Sequence, residues 1–478
     1  MKEVISQALN TATNQRATYV DVRTVQTLAQ NISTKNGAVS FLEQSEDLGL
    51  GIRVIVDGAW GFAATDDLSR DSIDKTAALA VKIAKASART KISNVKLAPE
   101  KAYTDTYKTP IKIDPFEVPL ERKLELLLAL DKELRKTNGI SLASGWMSFK
   151  KQNKFFGSSE GADIDQTIIR SGVGYNASAT DGVSIQTRSY PASWGQHQNK
   201  GYELIEELPL LENALRISEE AVALLKAPIA PSGKKDLIIH SDHLALQIHE
   251  SCGHPTELDR VLGEEAAFAG TSFLTLDKIG KFKYGSDKVN IIADSISPGG
   301  LGTFGYDDEG VKAQKWDLVK DGLLVGYLTS RETANIWGKS SRGAMRAESW
   351  RRIPIIRMVN ISLLPGEWEL EDLISDTKDG LFLQTTKSWS IDQQRLNFQF
   401  SCELAWEIKN GKKTRLLANP VYQGITPEFW NSCDAICNQN HWTLWGITEC
   451  GKGEPMQTME VAHGASPARF RGVNCGGG

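Results

Sequence analysis

Two histidines set five residues apart constrain this chain more than any other feature. The stretch HESCGHPTE runs from His249 to Glu257. A histidine pair with an adjacent glutamate is a zinc-hydrolase pattern, but the common form spaces its histidines four apart on one helix face. A helix turns about 100° per residue, so side chains four apart diverge by about 40° and side chains five apart by about 140°. An ordinary helix cannot aim both imidazoles at one ion. The pair is usable only if the helix carries a wide i→i+5 turn or unwinds before the second histidine, and such bulges concentrate at functional sites. Gly253 permits unusual dihedrals, and Pro255 disfavours helical geometry at His254. The sequence predicts an extra residue absorbed by local unwinding.

The surroundings predict an α+β chain, with an N-terminal α/β domain over 1–230 and a C-terminal β-rich domain over 231–478 that carries the metal site. KAPIAPSGKKD, residues 226–236, supplies two prolines, a glycine and a lysine pair at the boundary. Before it, Val4, Ile5, Ala8, Leu9 and Ala12 follow helical spacing, as do Ile73, Ala77, Val81 and Ala84. A further helix opens at Pro119, taken as its first residue, with Leu120, Leu124, Leu127 and Leu134. Another spans about 208–226 with a stripe of Leu211, Leu215, Ala221 and Leu225. Asn36-Gly37, Asp57-Gly58, Asp321-Gly322 and Asn410-Gly411 are hairpin signals. After the boundary, LIIH reads as a short strand. Ser241 or Asp242 caps the helix that leads into His249. His240 and His243 read as capping or surface residues.

A catalytic zinc takes three protein ligands and leaves a fourth position open. Candidates for the third are Cys252, Cys433, Cys437, Cys450, His441 and His463. Cys252 lies between the histidines and points away from an ion they share. Cys450 stands in ITECGKGEPMQTMEV, where glycines and a proline mark a turn. On local grounds it leads Cys433 and Cys437 only narrowly. Glu250 is placed to be the general base, taking a proton from a zinc-bound water and returning it to the leaving amine. The competing reading is a hydrogen-bonded structural histidine pair, with Cys433 and Cys437 as buried thiols.

Composition excludes several functions. The net charge is −4, from 55 basic and 59 acidic residues. That gives no basic stripe for nucleic acid and argues against direct DNA binding. No run approaches the roughly 20 apolar residues needed to span a bilayer. The first residues lack the apolar core of a signal peptide. The expectation is a cytoplasmic protein whose six scattered cysteines are thiols or metal ligands.

Five stretches then occur in one order: VIVDGAWGFAATDDLS, HESCGH, FGYDDEGVKAQ, RMVNISLLPG and ECGKGEP. Together they resemble the TldD family of metallopeptidases, relatives of the TldE (PmbA) proteins once named modulators of DNA gyrase. The resemblance runs from about residue 18 to 472. It implies an N-terminal α/β domain, a β-rich domain carrying one zinc per catalytic chain, His249, His254 and Cys450 as ligands, and Glu250 as catalytic glutamate. It implies peptide substrates that are short or unfolded, including modified-peptide precursors. It also implies dimers, either of one chain or of a TldD-type chain with a TldE-type chain that lacks the metal residues. A narrow cavity at such an interface excludes folded proteins, and strand addition is the expected binding mode for a β-rich wall. A non-catalytic TldE/PmbA-like partner or scaffold is the alternative function, but it predicts decayed metal residues and all four are intact.

Two departures stand out. Cys252 replaces a small apolar residue inside the motif, which puts an oxidisable thiol beside the metal as an alternative ligand. The segment from His254 to Gly270 is longer than in some members. Glu257 and Asp259 read either as partners orienting the histidines or as a solvated cluster. His463 reads as a supporting or turn residue. Arg346, Arg351 and Arg352 are candidates to bind a peptide carboxylate, or else surface and interface residues.

Overall fold

The computed structural model describes residues 1–477. The chain is α+β, as the sequence predicts. All four hairpin signals close type I′ turns: Asn36-Gly37, Asp57-Gly58, Asp321-Gly322 and Asn410-Gly411 each have positive φ at both residues. That geometry matches the right-handed twist of the flanking strands.

The first two turns join three strands, Tyr19–Lys35, Ala38–Val56 and Ala59–Thr65. They form one side of an eight-stranded sheet. Ile140–Ser158, Asp163–Thr180 and Thr104–Lys108 complete its main path, and Ile185–Tyr190 and Gln196–Gln198 pair with the Asp163–Thr180 strand. Successive side chains on a strand point to opposite faces. One face presents Val20, Val22, Leu50, Ile52 and Val54 to the helices Lys2–Asn14 and Arg70–Ser87. Further along, Met147, Phe149, Val173 and Tyr175 pack under Leu120–Leu134 and Leu210–Lys226.

Two details of these helices differ from expectation. Pro119 is the N-cap of its helix rather than the first helical residue. In Leu210–Lys226 the buried stripe is Leu210, Ala214, Ile217, Ala221 and Leu224. Leu211 and Leu215 are exposed. The set at 210 keeps i, i+4, i+7, i+11 spacing throughout, which a stripe starting at 211 does not.

The other face of the sheet is charged and aromatic. Arg53 pairs with Asp21 at 2.7 Å and reaches Glu309 of the second half of the chain at 3.2 Å. Lys154 meets Asp308 at 2.6 Å, and Arg23 lies 3.5 Å from the same carboxylate. On the helix-covered face, Arg188 pairs with Glu403 at 2.6 Å. Apart from Lys154, which is 16% exposed, these groups are almost wholly buried. The FGYDDEG stretch thus serves to lock the two halves together.

Beyond residue 232, five strands close on one another: Asp379–Ile391, Gly233–Ile239, Ala468–Gly477, Pro420–Ile425 and Asn397–Lys409, the last pairing back to the first. Closure leaves no free edge around the ring. A second, six-stranded sheet includes Ile291–Asp294, Asn360–Leu363, Gln457–Ala465 and, at its edge, Thr443–Lys452. The helix Ser241–Ile248 packs against strands of both. Among the described residues no helix is long and apolar enough to cross a membrane.

Candidate metal centre

The helix that carries the histidines starts at Ser241, with His240 at the N-cap position in place of Ser241 or Asp242. Asp242 instead turns its carboxylate to the backbone of His243 and to Thr385. His243 is not a surface residue. It is fully buried, between the hydroxyls of Thr386 at 2.8 Å and Tyr422 at 2.9 Å. The α-helix ends at Ile248, and His249–Gly253 form a π-helical turn followed by a 3₁₀ turn over His254–Thr256. The N–H of His254 donates to the carbonyl of His249, an i→i+5 bond. The unwinding predicted from Gly253 and Pro255 is present. It brings the two rings to 4.8 Å between centroids, at right angles.

Cys450 arrives from the edge strand Thr443–Lys452. The register against Gln457–Ala465 slips between Ile447 and Cys450, so three steps on one strand oppose two on the other. Bulges of this kind re-aim side chains next to active sites. The thiol lies 3.7 Å from Nε2 of His254. One donor atom from each of His249, His254 and Cys450 lies within 4.8 Å of the others, and all three residues are buried. Tetrahedral zinc with bonds of about 2.0–2.3 Å sets its donors about 3.3–3.8 Å apart, so the set needs to contract by at most about 1.5 Å to close on an ion.

The donor chemistry fits as well. Burial pushes His249 down to about 4, which keeps its ring neutral. Burial would raise the Cys450 thiol, but Arg357 and His254 outweigh it and hold the group below the usual thiol value. Nδ1 of His254 lies 2.9 Å from Glu257, whose carboxylate is held at about 2 by Lys452 and His254 despite burial. A carboxylate accepts the Nδ1 hydrogen and leaves Nε2, the atom facing Cys450, with a free lone pair. Glu257 is therefore the orienting carboxylate. Asp259 is not; it pairs with the buried Lys452.

The other candidates lie elsewhere. Cys252 packs in the core with Tyr284, and burial raises it to about 12, so it is no alternative ligand. Cys433 and Cys437 are buried thiols in separate apolar clusters. His441 pairs with Glu369. His463 is buried against His249, Nε2 to Nδ1 at 2.8 Å. Arg346 donates to backbone carbonyls of Met358 and Leu301, and Arg351 pairs with Asp47 on the surface. Arg352 is exposed near Glu348.

Glu250 faces the same space and meets the guanidinium of Arg395. Burial opposes its ionisation, but Arg395 together with His249, His254 and Trp389 outweighs burial and holds the carboxyl below its ordinary value. Arg395 sits in the turn before the Asn397–Lys409 strand at φ +65°, a conformation unusual outside glycine and asparagine. Nothing in the local sequence marks it. The cavity around these groups holds about 860 Å³. Its walls come from both halves of the chain, with Trp146, Lys150 and Arg170 from the first sheet and Trp389, Glu449 and Glu460 from the second half.

With this geometry in view, comparison with known proteins places the chain in a class. Three domain profiles of the PmbA/TldA metallopeptidases match it: domain 1 over 20–84, the central domain over 113–227 and the C-terminal domain over 232–477. The chain belongs to the TldD/PmbA family of metallopeptidases. A metalloprotease of Methanocaldococcus jannaschii is 31% identical over 94% of this chain and 95% of its own length. A zinc metalloprotease TldD homolog of Saccharolobus solfataricus is 22% identical over 96% and 97%. The fold matches TldE from Thermococcus kodakarensis with a TM-score of 0.72 at 15% identity, covering 99% of this chain and all of that one. A Thermotoga maritima protein described as a candidate modulator of a DNA gyrase matches at 0.78 and 17%, with the same coverage.

Proposed function

We propose that this chain is a zinc-dependent metallopeptidase of short or unfolded peptides, in which His249, His254 and Cys450 hold one zinc and Glu250 is the general base. The observation that carries the reading is the convergence of two imidazoles and a distant thiol beside an ionised, buried glutamate. Bound zinc would supply Lewis-acid polarisation of water and of the scissile carbonyl. Glu250 accepts a proton from the attacking water and passes it to the leaving amine. Arg395 keeps that carboxylate charged and in place.

The edge of the Thr443–Lys452 strand opposite Gln457–Ala465 has no partner strand among the described residues, and Ile447 to Gly451 line the cavity along it. An extended peptide adds there as a further strand, main chain to main chain, past Cys450. The same reading divides the chain into units 1–230 and 231–478, places it in the cytoplasm, and gives it a second copy or a TldE-type chain as dimer partner. The TldE likeness supports that type of partner.

Glu250→Gln tests the assignment. The variant should retain stoichiometric zinc and lose peptide hydrolysis. Undiminished cleavage would overturn the assigned base, and a wild-type protein purified without zinc would overturn the metal.

A further inference from the structure

Behind His249, on the side away from the cavity, stands another imidazole rather than a carboxylate, and the hydrogen bonds around it allow one assignment. Nδ1 of His463 lies 3.0 Å from the carbonyl oxygen of Ile361. A carbonyl only accepts, so that nitrogen carries a hydrogen. Nε2 of His463 lies 2.8 Å from Nδ1 of His249, and a single proton must sit between them. Were it on His463, the ring would be an imidazolium, wholly buried, its two polar contacts being a carbonyl and another imidazole. An unpaired buried charge is far costlier than a neutral ring. The proton therefore belongs to His249 Nδ1, and Nε2 of His463 accepts it. His249 is then a neutral ring whose free lone pair is on Nε2, the side opposite His463.

We propose that His463 is a positioning residue that fixes the tautomer and ring orientation of His249, presenting its Nε2 lone pair to the ion. The proposal rests on the zinc site described above. Its anchor is rigid, because His463 lies on the Gln457–Ala465 strand and Ile361 on the adjacent Asn360–Leu363 strand, whose register is set by the parallel pairing of Asn360 with Ala462. The two histidines are thus supported differently. His254 leans on the anionic Glu257, and His249 leans on an uncharged relay that ends in a backbone carbonyl.

Two measurements test it. In the first, zinc affinity is read by competition with a chromogenic chelator for wild type, His463→Leu and His463→Gln, with melting of the metal-free proteins checking the fold. His463→Leu removes the acceptor and should weaken zinc binding about 10- to 100-fold, as loss of such partners does elsewhere. His463→Gln extends an acceptor oxygen toward the position of Nε2 and should recover most of that loss. Equal affinity of His463→Leu and wild type, or a His463→Gln variant as weak as His463→Leu, overturns the proposal. In the second, ¹⁵N-histidine spectra of the metal-free wild-type protein report the tautomer directly. His249 should carry its hydrogen on Nδ1, and an Nε2–H tautomer there overturns the proposal. This second result stands even if the protein proves to bind no zinc, so the two readings fail separately.

Discussion

The guanidinium of Arg395 rests on the carboxylate of Glu250, across 145 positions of sequence. The arginine backbone is held at φ +65° by its surroundings: its N–H donates to Asp392, and its carbonyl accepts from Thr426. A long side chain kept in a left-handed conformation costs on the order of 1 kcal/mol or more, which persists only where the structure over-determines it.

Arg395→Ala should lower kcat by about 100-fold while zinc content stays near one per chain. The expectation follows from the 10²- to 10⁴-fold that a positioned base contributes, with loss of its orienting cation at the low end. Arg395→Lys should recover part of the rate. Steady-state kinetics beside metal analysis checks this, and an unchanged kcat in Arg395→Ala would remove the arginine from the machinery.

Glu257→Ala should weaken zinc binding about 10- to 100-fold, because His254 loses the acceptor that directs its Nε2 lone pair. Glu257→Gln keeps an acceptor oxygen and should fall between the two. Chelator competition measures the series. A wild-type affinity in Glu257→Ala would show that the ring is held by packing alone.

Acid should destabilise the metal-free protein through three buried histidines. Burial holds His197, His243 and His249 near 4, against an unfolded value of about 6.5. Their folded values are depressed, so the unfolded chain binds more protons throughout that window. The stability from keeping them neutral is complete above about pH 6.5 and is lost as pH falls toward 4. Urea unfolding at pH 7.5, 5.5 and 4.5 reads this out, and a flat profile would contradict it.

Thiol reagents should find one cysteine. Cys450 lines the cavity and is held below the usual thiol value, whereas burial raises Cys252, Cys433, Cys437 and Cys475 to about 12 and Cys402 well above its ordinary value. The thiolate is the reactive form. Peptide mapping after brief alkylation at pH 7.5 should show Cys450 labelled in the metal-free protein and protected by zinc. Prior labelling of any other cysteine would count against the assignment.

The π-turn was legible because its cause is local: a five-residue spacing, a glycine and a proline within one turn. The I′ hairpins were legible for the same reason. Cys450 could not be separated from Cys433 and Cys437 by spacing, since its position depends on a bulge in a strand pair. The family resemblance separated them. Arg395 and the role of His463 were hidden more deeply. Arg395 reaches Glu250 through a turn between long strands, and His463 meets His249 through sheet register, neither of which leaves a short-range pattern. His243 was misread because a histidine in the first turn of a helix resembles a capping residue. Its burial follows from Thr386 and Tyr422, which the chain supplies more than 140 positions later.

The charge pairs that join Arg23, Arg53 and Lys154 to Asp308 and Glu309 bear on how anything gets in. They hold the two halves in one register, and with it the walls that both halves contribute to the cavity. On the proposed reading, a peptide enters with these pairs intact and must fit the space they leave.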